Sequence, residues 1–193
     1  MGQRFREEYS KTTAGPFLAM WIAVNQPENV LQLGTWIGFS TLVLADILRR
    51  NSRRGKLVTV DPAKPQQDKA RIYIHEAGLD DTVHFIDGKS FDTAVVNSLS
   101  AMRPFDLIFV DASHEYRQTL KELTLYLGDG WLSKSGAMFL HDASDYARQF
   151  DPTGEGGVRR ALNECTGNAL ILEPPQWANP CGPAIILSRR RND

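Results

Sequence analysis

Apolar residues fall along this chain in short runs of strand length, and the segments between them carry apolar positions at helical spacing. Seven runs predict strands: 29–33 (NVLQL), 56–60 (KLVTV), 82–86 (TVHFI), 106–110 (DLIFV), 137–141 (AMFLH), 169–173 (ALILE) and 184–188 (AIILS). Between them, Tyr116, Leu120, Leu123 and Leu127 recur at i, i+4, i+7 and i+11, and Val158, Ala161, Leu162 and Cys165 at i, i+3, i+4 and i+7. Each set is one apolar helix face turned to a core. Strands alternating with helices are the signature of βαβ units. The prediction is an α/β fold with a Rossmann-like, seven-stranded, mostly parallel sheet and helices on both faces. The last two runs are joined by PPQWANPCGP (174–183), too short for a crossover helix, so the C-terminal strand is predicted antiparallel.

The strongest local signal is the segment 30–48, VLQLGTWIGFSTLVLADIL, which reads as a buried strand, a glycine turn and a helix. Glycine lacks the Cβ that would block a ligand's close approach, and Gly34 and Gly38 bracket the turn. A dinucleotide fingerprint needs Gly at the first, third and sixth positions; from Gly34 these are Gly34, Trp36 and Phe39, which disfavours NAD and FAD. An ordinary βα turn with two glycines is the alternative. The pattern Gln32-x-Gly34-x-Trp36-x-Gly38-x-Ser40 resembles the first motif of class I S-adenosylmethionine-dependent methyltransferases. There an acid, three alternating glycines and a helix start wrap the methionine half of the cofactor. Trp36 stands in for the middle glycine, as in the catechol O-methyltransferase-like subgroup. Gln32 replaces the acid, and its amide accepts a hydrogen bond without supplying charge to the cofactor's ammonium. The resemblance runs from Thr13 to Ser188 and includes GVRRAL at 157–162, which commonly follows the fifth strand.

In open α/β sheets ligands sit beyond the carboxyl ends of the strands, so the residues there are read in turn. After the second run comes Asp61, which can accept from both ribose hydroxyls or serve as a turn-forming Asp-Pro with Pro62. After the third comes Asp87-Gly88-Lys89-Ser90, which the resemblance places around the adenine, with Ser90 hydrogen-bonding the base. Gly-Lys-Ser is no phosphate loop here, because the position of that loop's first glycine is Val83. After the fourth run comes Asp111-Ala112-Ser113-His114, and after the fifth His141-Asp142.

With the family's strand order, Asp111 and Asp142 stand on neighbouring strands about 4.8 Å apart. Carboxylates that close need a proton or a cation between them, and Mg²⁺ is a hard ion that one or two carboxylates and waters hold. The resemblance, shared with the bacterial macrocin-type O-methyltransferases, implies Asp111 and Asp142 as metal ligands. The third ligand position falls on Ala143, and His141 is expected to face the other side of its strand. That predicts a two-carboxylate site completed by water, or weak metal binding. His114 stands where catechol-type relatives carry a lysine base, and its ordinary pKa near 6.5 suits that task. The same residues have plainer readings, Asp111 and Asp142 as helix caps and His114 as part of a helix's first turn. The cofactor contacts the resemblance implies are Gln32, Gly34, Thr35, Trp36, Ser40, Asp61, Gly88, Ser90 and Asp111. Trp131, Tyr146 and Trp177 are candidates for an aromatic acceptor pocket. His75 and His84 read as structural or solvated.

Composition narrows the picture little further. With 193 residues, 42% of them hydrophobic, the chain can bury one good core, so residues 1–193 read as one domain, with 1–12 an N-terminal extension and 189–193 a solvated tail. The formal net charge of −1 suggests neither nucleic acid nor an acidic membrane surface. No apolar stretch approaches the ~18–20 residues of a membrane span, and MGQRFREEYSK lacks the apolar core of a signal peptide, so a cytoplasmic protein is expected. Cys165 and Cys181 lack CxxC spacing, and neither zinc nor a disulfide is indicated. The reading that results is metal-assisted O-methylation of a small-molecule hydroxyl by S-adenosylmethionine. Two others stay open: a non-catalytic cofactor-binding or assembly protein, and a metal-independent methyltransferase. Relatives often carry further N-terminal helices over the acceptor, so the resemblance implies a pocket that is open or completed by a second subunit of a homo-oligomer.

Overall fold

Each apolar run becomes a strand of one sheet. The computed structural model describes residues 14–52, 54–173 and 181–188, so Thr13, Trp177 and the arginine tail lie outside the described residues. In chain order the elements are α1 (Ala14–Asn25), β1 (Asn29–Leu33), α2 (Phe39–Asn51), β2 (Lys56–Asp61), α3 (Lys64–Glu76), β3 (Val83–Asp87), α4 (Thr93–Ser100), β4 (Phe105–Val110), α5 (Tyr116–Tyr126), β5 (Leu132–Leu140), a 3₁₀ turn (Tyr146–Phe150), α6 (Gly157–Cys165), β6 (Leu170–Ile171) and β7 (Ala184–Leu187). The strand order is β3-β2-β1-β4-β5-β7-β6. β1 to β5 pair in parallel, while β7 runs antiparallel to both β5 and β6, as the short final connection predicted. Two strands differ from the predicted runs by more than one residue at an end. β5 starts at Leu132 rather than 137, through a register irregularity against β4 between Phe105 and Leu107, and β6 shrinks to Leu170–Ile171 at the sheet's edge.

The central strands are largely apolar because both faces are covered. On one face Leu31, Leu33, Val58, Val60, Ile108, Val110, Met138 and Leu140 meet Val95 and Leu99 of α4, Leu123 and Tyr126 of α5, and Val158, Ala161 and Leu162 of α6. On the other, Val30, Leu57, Leu107, Phe109, Ala137 and Phe139 meet Leu18 and Ile22 of α1, Leu44 and Leu48 of α2, and Ile74 of α3. Fully burying each such side chain contributes roughly 1.5–3 kcal/mol, which makes the sheet a firm platform. Among the described residues no helix is long and apolar enough to cross a membrane.

Register then sets the site. Leu33 pairs with Val60 and Val110, and Val110 with Leu140, so these strands end level. The ladder extends one step further, with Gly34 N donating to Val60 O at 2.9 Å, Asp111 N to Leu33 O at 2.8 Å and His141 N to Val110 O at 2.9 Å. Gly34, Asp61, Asp111 and His141 thus form a row along the carboxyl edge. Crossovers leave β1 and β4 in opposite directions, which makes their junction the topological switch point where such sheets bind ligands.

Candidate active site at the carboxyl edge of the sheet

The glycine turn is shaped by the chain itself. A Cβ on Gly34, whose φ is +96°, would lie 2.0 Å from the carbonyl oxygen of Asp111; one on Gly38, φ +86°, would lie 2.5 Å from Ala70 Cβ of α3. The glycines therefore let β1 and β4, and α2 and α3, pack close. Between them Trp36 also takes a left-handed φ of 48° and stands 61% exposed over the turn.

Asp61 clamps this loop. Its Oδ2 accepts from Thr35 N at 2.9 Å and Trp36 N at 2.8 Å, and its Oδ1 from Ala63 N at 2.7 Å. A carboxylate offers about four lone-pair sites, so one remains for a ligand rather than the two that both ribose hydroxyls would need. Gln32 supports the same turn from beneath. It is fully buried under the turn, and its amide donates to Gly34 O at 2.8 Å and Ser40 Oγ at 2.7 Å. Residue 32 faces the α2 side of the sheet and holds the loop from below, while its Oε1 has no hydrogen-bond partner among the described residues. Thr35 and Ser40 are buried with it, Thr35 Oγ1 lying 2.7 Å from Thr59 Oγ1.

Above the loop a cleft of about 200 Å³ is lined by Gly34, Trp36, Val60, Asp61 and Pro62 on one side and by Lys89, Ser90, Ala112, Ser113 and Gln118 on the other. Of the expected cofactor contacts, Gly34, Trp36, Asp61 and Ser90 line it. Gly88 and Asp111 adjoin it in the chain. Ser90 is backed by Glu122 of α5, an acid absent from the sequence reading; Ser90 Oγ donates to its Oε1 at 2.5 Å. Burial pushes Glu122 up to about 7, against the hydrogen bonds from Ser90 and Gln118.

The second half of the row gathers charge. One ligand atom each from Asp111, His141 and Asp142 falls within 4.8 Å of the others. The expectation that His141 faces away is thus overturned. β5 ends at Leu140, and Asp142 takes a left-handed φ of 54°, which breaks the strand's alternation and brings both side chains to the same place. His141 Nδ1 lies 3.0 Å from Asp142 Oδ2 and 3.7 Å from Asp111 Oδ1. Although close enough for charge attraction, Nδ1 is buried and makes no properly directed hydrogen bond among the described residues. Ala143, the expected third ligand position, is fully buried in the core.

His114 completes the group, with Nδ1 2.8 Å from Asp142 Oδ2. Burial disfavours the charge of Asp142, yet His114 and His141 outweigh it and hold the carboxyl well below the usual range. Burial likewise opposes charge on His141, but Asp111 and Asp142 pull it up to about 9. The bond to Asp142 raises His114 against its own burial. Asp111 is pushed up by burial first, with Asp142 adding to the effect and His141 opposing it. The cation that two adjacent carboxylates require is thus available as an imidazolium. An unbonded imidazole nitrogen beside two carboxylates is also a donor set that fits a divalent ion.

Neighbouring residues hold this corner in place. Arg159, from GVRRAL, donates to Ala143 O at 3.3 Å and to Glu173, whose carboxylate accepts Asp145 N at 3.1 Å. The Cys181 thiol lies against Asp142, and burial followed by that carboxylate pushes it up to about 12. Cys165 and Cys181 are free thiols. Of the aromatic candidates, Trp131 is corrected: it precedes β5, at the opposite edge of the sheet, and is buried edge-on against Tyr126 at 4.8 Å. Tyr146 does stand near the site, packed on Phe150, whose ring lies 6.1 Å from that of His114. His75, the penultimate residue of α3, is an exposed partner of Asp80, and His84 is exposed on β3.

Comparison with known proteins agrees with this geometry. A family model described as a methyltransferase domain matches residues 31–143. The catechol O-methyltransferase of Mycobacterium tuberculosis is 36% identical over 101 residues, 52% of this chain and 43% of that protein. That of Niastella koreensis is 35% identical over 98 residues, 51% and 43% of the two chains. The matches thus span less than half the length of these relatives. Among solved structures, the O-methyltransferase from Bacillus cereus in complex with SAH superimposes with a TM-score of 0.73 at 24% identity, covering 92% of this chain and 81% of that one. TomG from Streptomyces achromogenes, solved with SAM, gives 0.73 at 22% identity over 89% and 78%. With the family model spanning more than half its length and the strand order in place, the chain belongs to the methyltransferase-domain family, in the Rossmann-like, class I form of the fold.

Proposed function

We propose that this chain transfers the methyl group of S-adenosylmethionine to a hydroxyl of a small molecule, with a divalent cation such as Mg²⁺ held by Asp111, His141 and Asp142. The observation that carries the reading is the convergence of those three side chains within 4.8 Å, beside the cleft that the glycine turn shapes. The names of the relatives, catechol O-methyltransferases among them, support the reaction class.

In this reading the adenosyl half occupies the cleft, with Ser90 at the base and the remaining lone pair of Asp61 at the ribose. When bound, the cation would lower the pKa of the acceptor hydroxyl and fix its oxygen. Asp142 holds Nδ1 of His114, which leaves Nε2 to take the hydroxyl proton as the oxygen attacks the methyl carbon. The C–S bond breaks as the C–O bond forms, and S-adenosylhomocysteine leaves. Since this is an in-line displacement, most of the protein's contribution is holding the two reactants in contact and alignment. The rings of Tyr146 and Phe150 beside His114 favour an aromatic acceptor.

The test is turnover of a catechol-like acceptor, paired with calorimetry of S-adenosylmethionine binding. EDTA should abolish turnover while largely sparing cofactor binding; full activity in EDTA sinks the metal role. His114→Ala should lower kcat by about 10²-fold and flatten the pH profile, the usual loss for a general base. An unchanged profile removes His114 as the base.

A further inference from the structure

Behind the cleft lies a buried acid that the proposed reaction does not use. Glu122 is fully buried on α5; its Oε1 accepts Ser90 Oγ at 2.5 Å and Gln118 Nε2 at 3.2 Å, and its Oε2 has no partner among the described residues. An apolar residue would fill this place without the penalty of a buried, half-satisfied carboxylate. The acid's effect is on the two residues in front of it, both of which line the cleft.

A hydroxyl carries one hydrogen. Ser90 gives its hydrogen to Glu122, so toward the cleft its oxygen can only accept. Gln118 turns its NH₂ group to the same carboxylate, which decides which end of the amide faces outward. The backbone of Ser90 is fastened too, its carbonyl accepting the hydroxyl of Tyr126.

We propose that Glu122 is a positioning residue for base recognition: by holding the Ser90 hydroxyl and the Gln118 amide from behind, it makes this wall an acceptor. The cleft then selects a purine with a 6-amino group over one with a 6-oxo group. This rests on the reading of the cleft as the adenosyl site. A 6-amino group donates to such a wall. A 6-oxo group meets it lone pair to lone pair, and the unpaired acceptors make rejection strong. Without Glu122 the Ser90 hydroxyl is free to rotate and donate to a 6-oxo oxygen, so discrimination falls.

The experiment is calorimetric binding of S-adenosylhomocysteine and S-inosylhomocysteine, which differ at that one position, at pH 8 where Glu122 is ionised. Wild type should prefer the adenosyl compound. Glu122→Leu should cut that preference roughly tenfold, the worth of one hydrogen bond. Glu122→Met, similar in length, serves as a second apolar variant and should do the same. Glu122→Gln keeps an acceptor oxygen for Ser90 and should retain most of the preference. In a Ser90→Ala background, Glu122→Leu should change the ratio by less than about twofold, since the two act through one contact. A Glu122 that only supported the fold would weaken both ligands in parallel; an unchanged ratio in the Leu and Met variants overturns the inference. Equal binding of both compounds by wild type overturns it too, while leaving the adenosyl reading intact. Failure of wild type to bind S-adenosylhomocysteine at all overturns that reading itself.

Discussion

Gly34 sits where two strand ends cross, and the obstacle to any side chain there is backbone. A Cβ would lie 2.0 Å from the Asp111 carbonyl oxygen and 2.5 Å from its carbon, and the φ of +96° strains any other residue regardless of space. Backbone cannot swing aside as a side-chain tip can. Gly34→Ala is therefore expected to cost about 2–4 kcal/mol, combining a strained dihedral with overpacking. Urea unfolding measures it, and a loss under about 1 kcal/mol would show that the β1–β4 junction yields. The glycine spacing revealed that a Cβ is excluded at this turn but not what excludes it, because the answer lies some 77 residues on in the chain, at Asp111. His141 was misread for a related reason. A period of two holds only while the strand continues, and the left-handed φ of Asp142 ends it. Asp111, Asp142 and His114 were legible because residues following parallel strands must gather at one edge.

At the scale of elements, α5 carries the clearest conflict between local cost and placement. Its apolar stripe of Tyr116, Leu120, Leu123 and Leu127 was readable from spacing and does pack on the core. Glu122 was not, since a lone acid on an amphipathic helix reads as solvent-facing until the neighbouring loop is placed over it. Burial raises its pKa from 4.5 to about 7. Below pH 4.5 both folded and unfolded chains hold this proton. Between 4.5 and 7 the folded chain keeps a proton that the unfolded chain has released, so stability falls as pH rises, and above 7 the loss is complete. Its upper size is about 3 kcal/mol. Glu122→Gln cannot titrate, so its stability relative to wild type should rise between pH 4.5 and pH 8. Paired urea midpoints at the two pH values test this, and a constant difference refutes it. The strands themselves were legible because burial on both faces makes them largely apolar runs. The early start of β5 was hidden by its polar Ser133, Lys134 and Ser135, and the two-residue β6 has too little pattern to bound.

Across the whole molecule, the switch point divides the site into two flanks on one rigid sheet. The cleft belongs to the ends of β1, β2 and β3, to Ala112 and Ser113 after β4 and to the start of α5; the acid and histidine cluster belongs to the ends of β4 and β5. The flanks meet where Gly34 packs on the Asp111 backbone and where Ala112 and Ser113 follow it into the cleft wall, while Asp111, His141 and Asp142 are not among the residues lining the cleft. If the proposed site reading holds, chelating a cation at the cluster should leave the cleft's affinity for the adenosyl half nearly intact. Ligand that binds only the folded chain stabilises it by about 2.7 kcal/mol at a hundredfold excess over Kd. For a chain of this size each kcal/mol moves Tm by roughly 2–4 °C, so S-adenosylhomocysteine should raise Tm by about 5–10 °C. The same rise, within about 1–2 °C, is expected in EDTA, under conditions where turnover has stopped. A Tm indifferent to S-adenosylhomocysteine argues against the cleft as the cofactor site. A shift that disappears with chelation would mean that the cluster, not the cleft, holds the cofactor in place, and the two flanks would then have to be treated as one site.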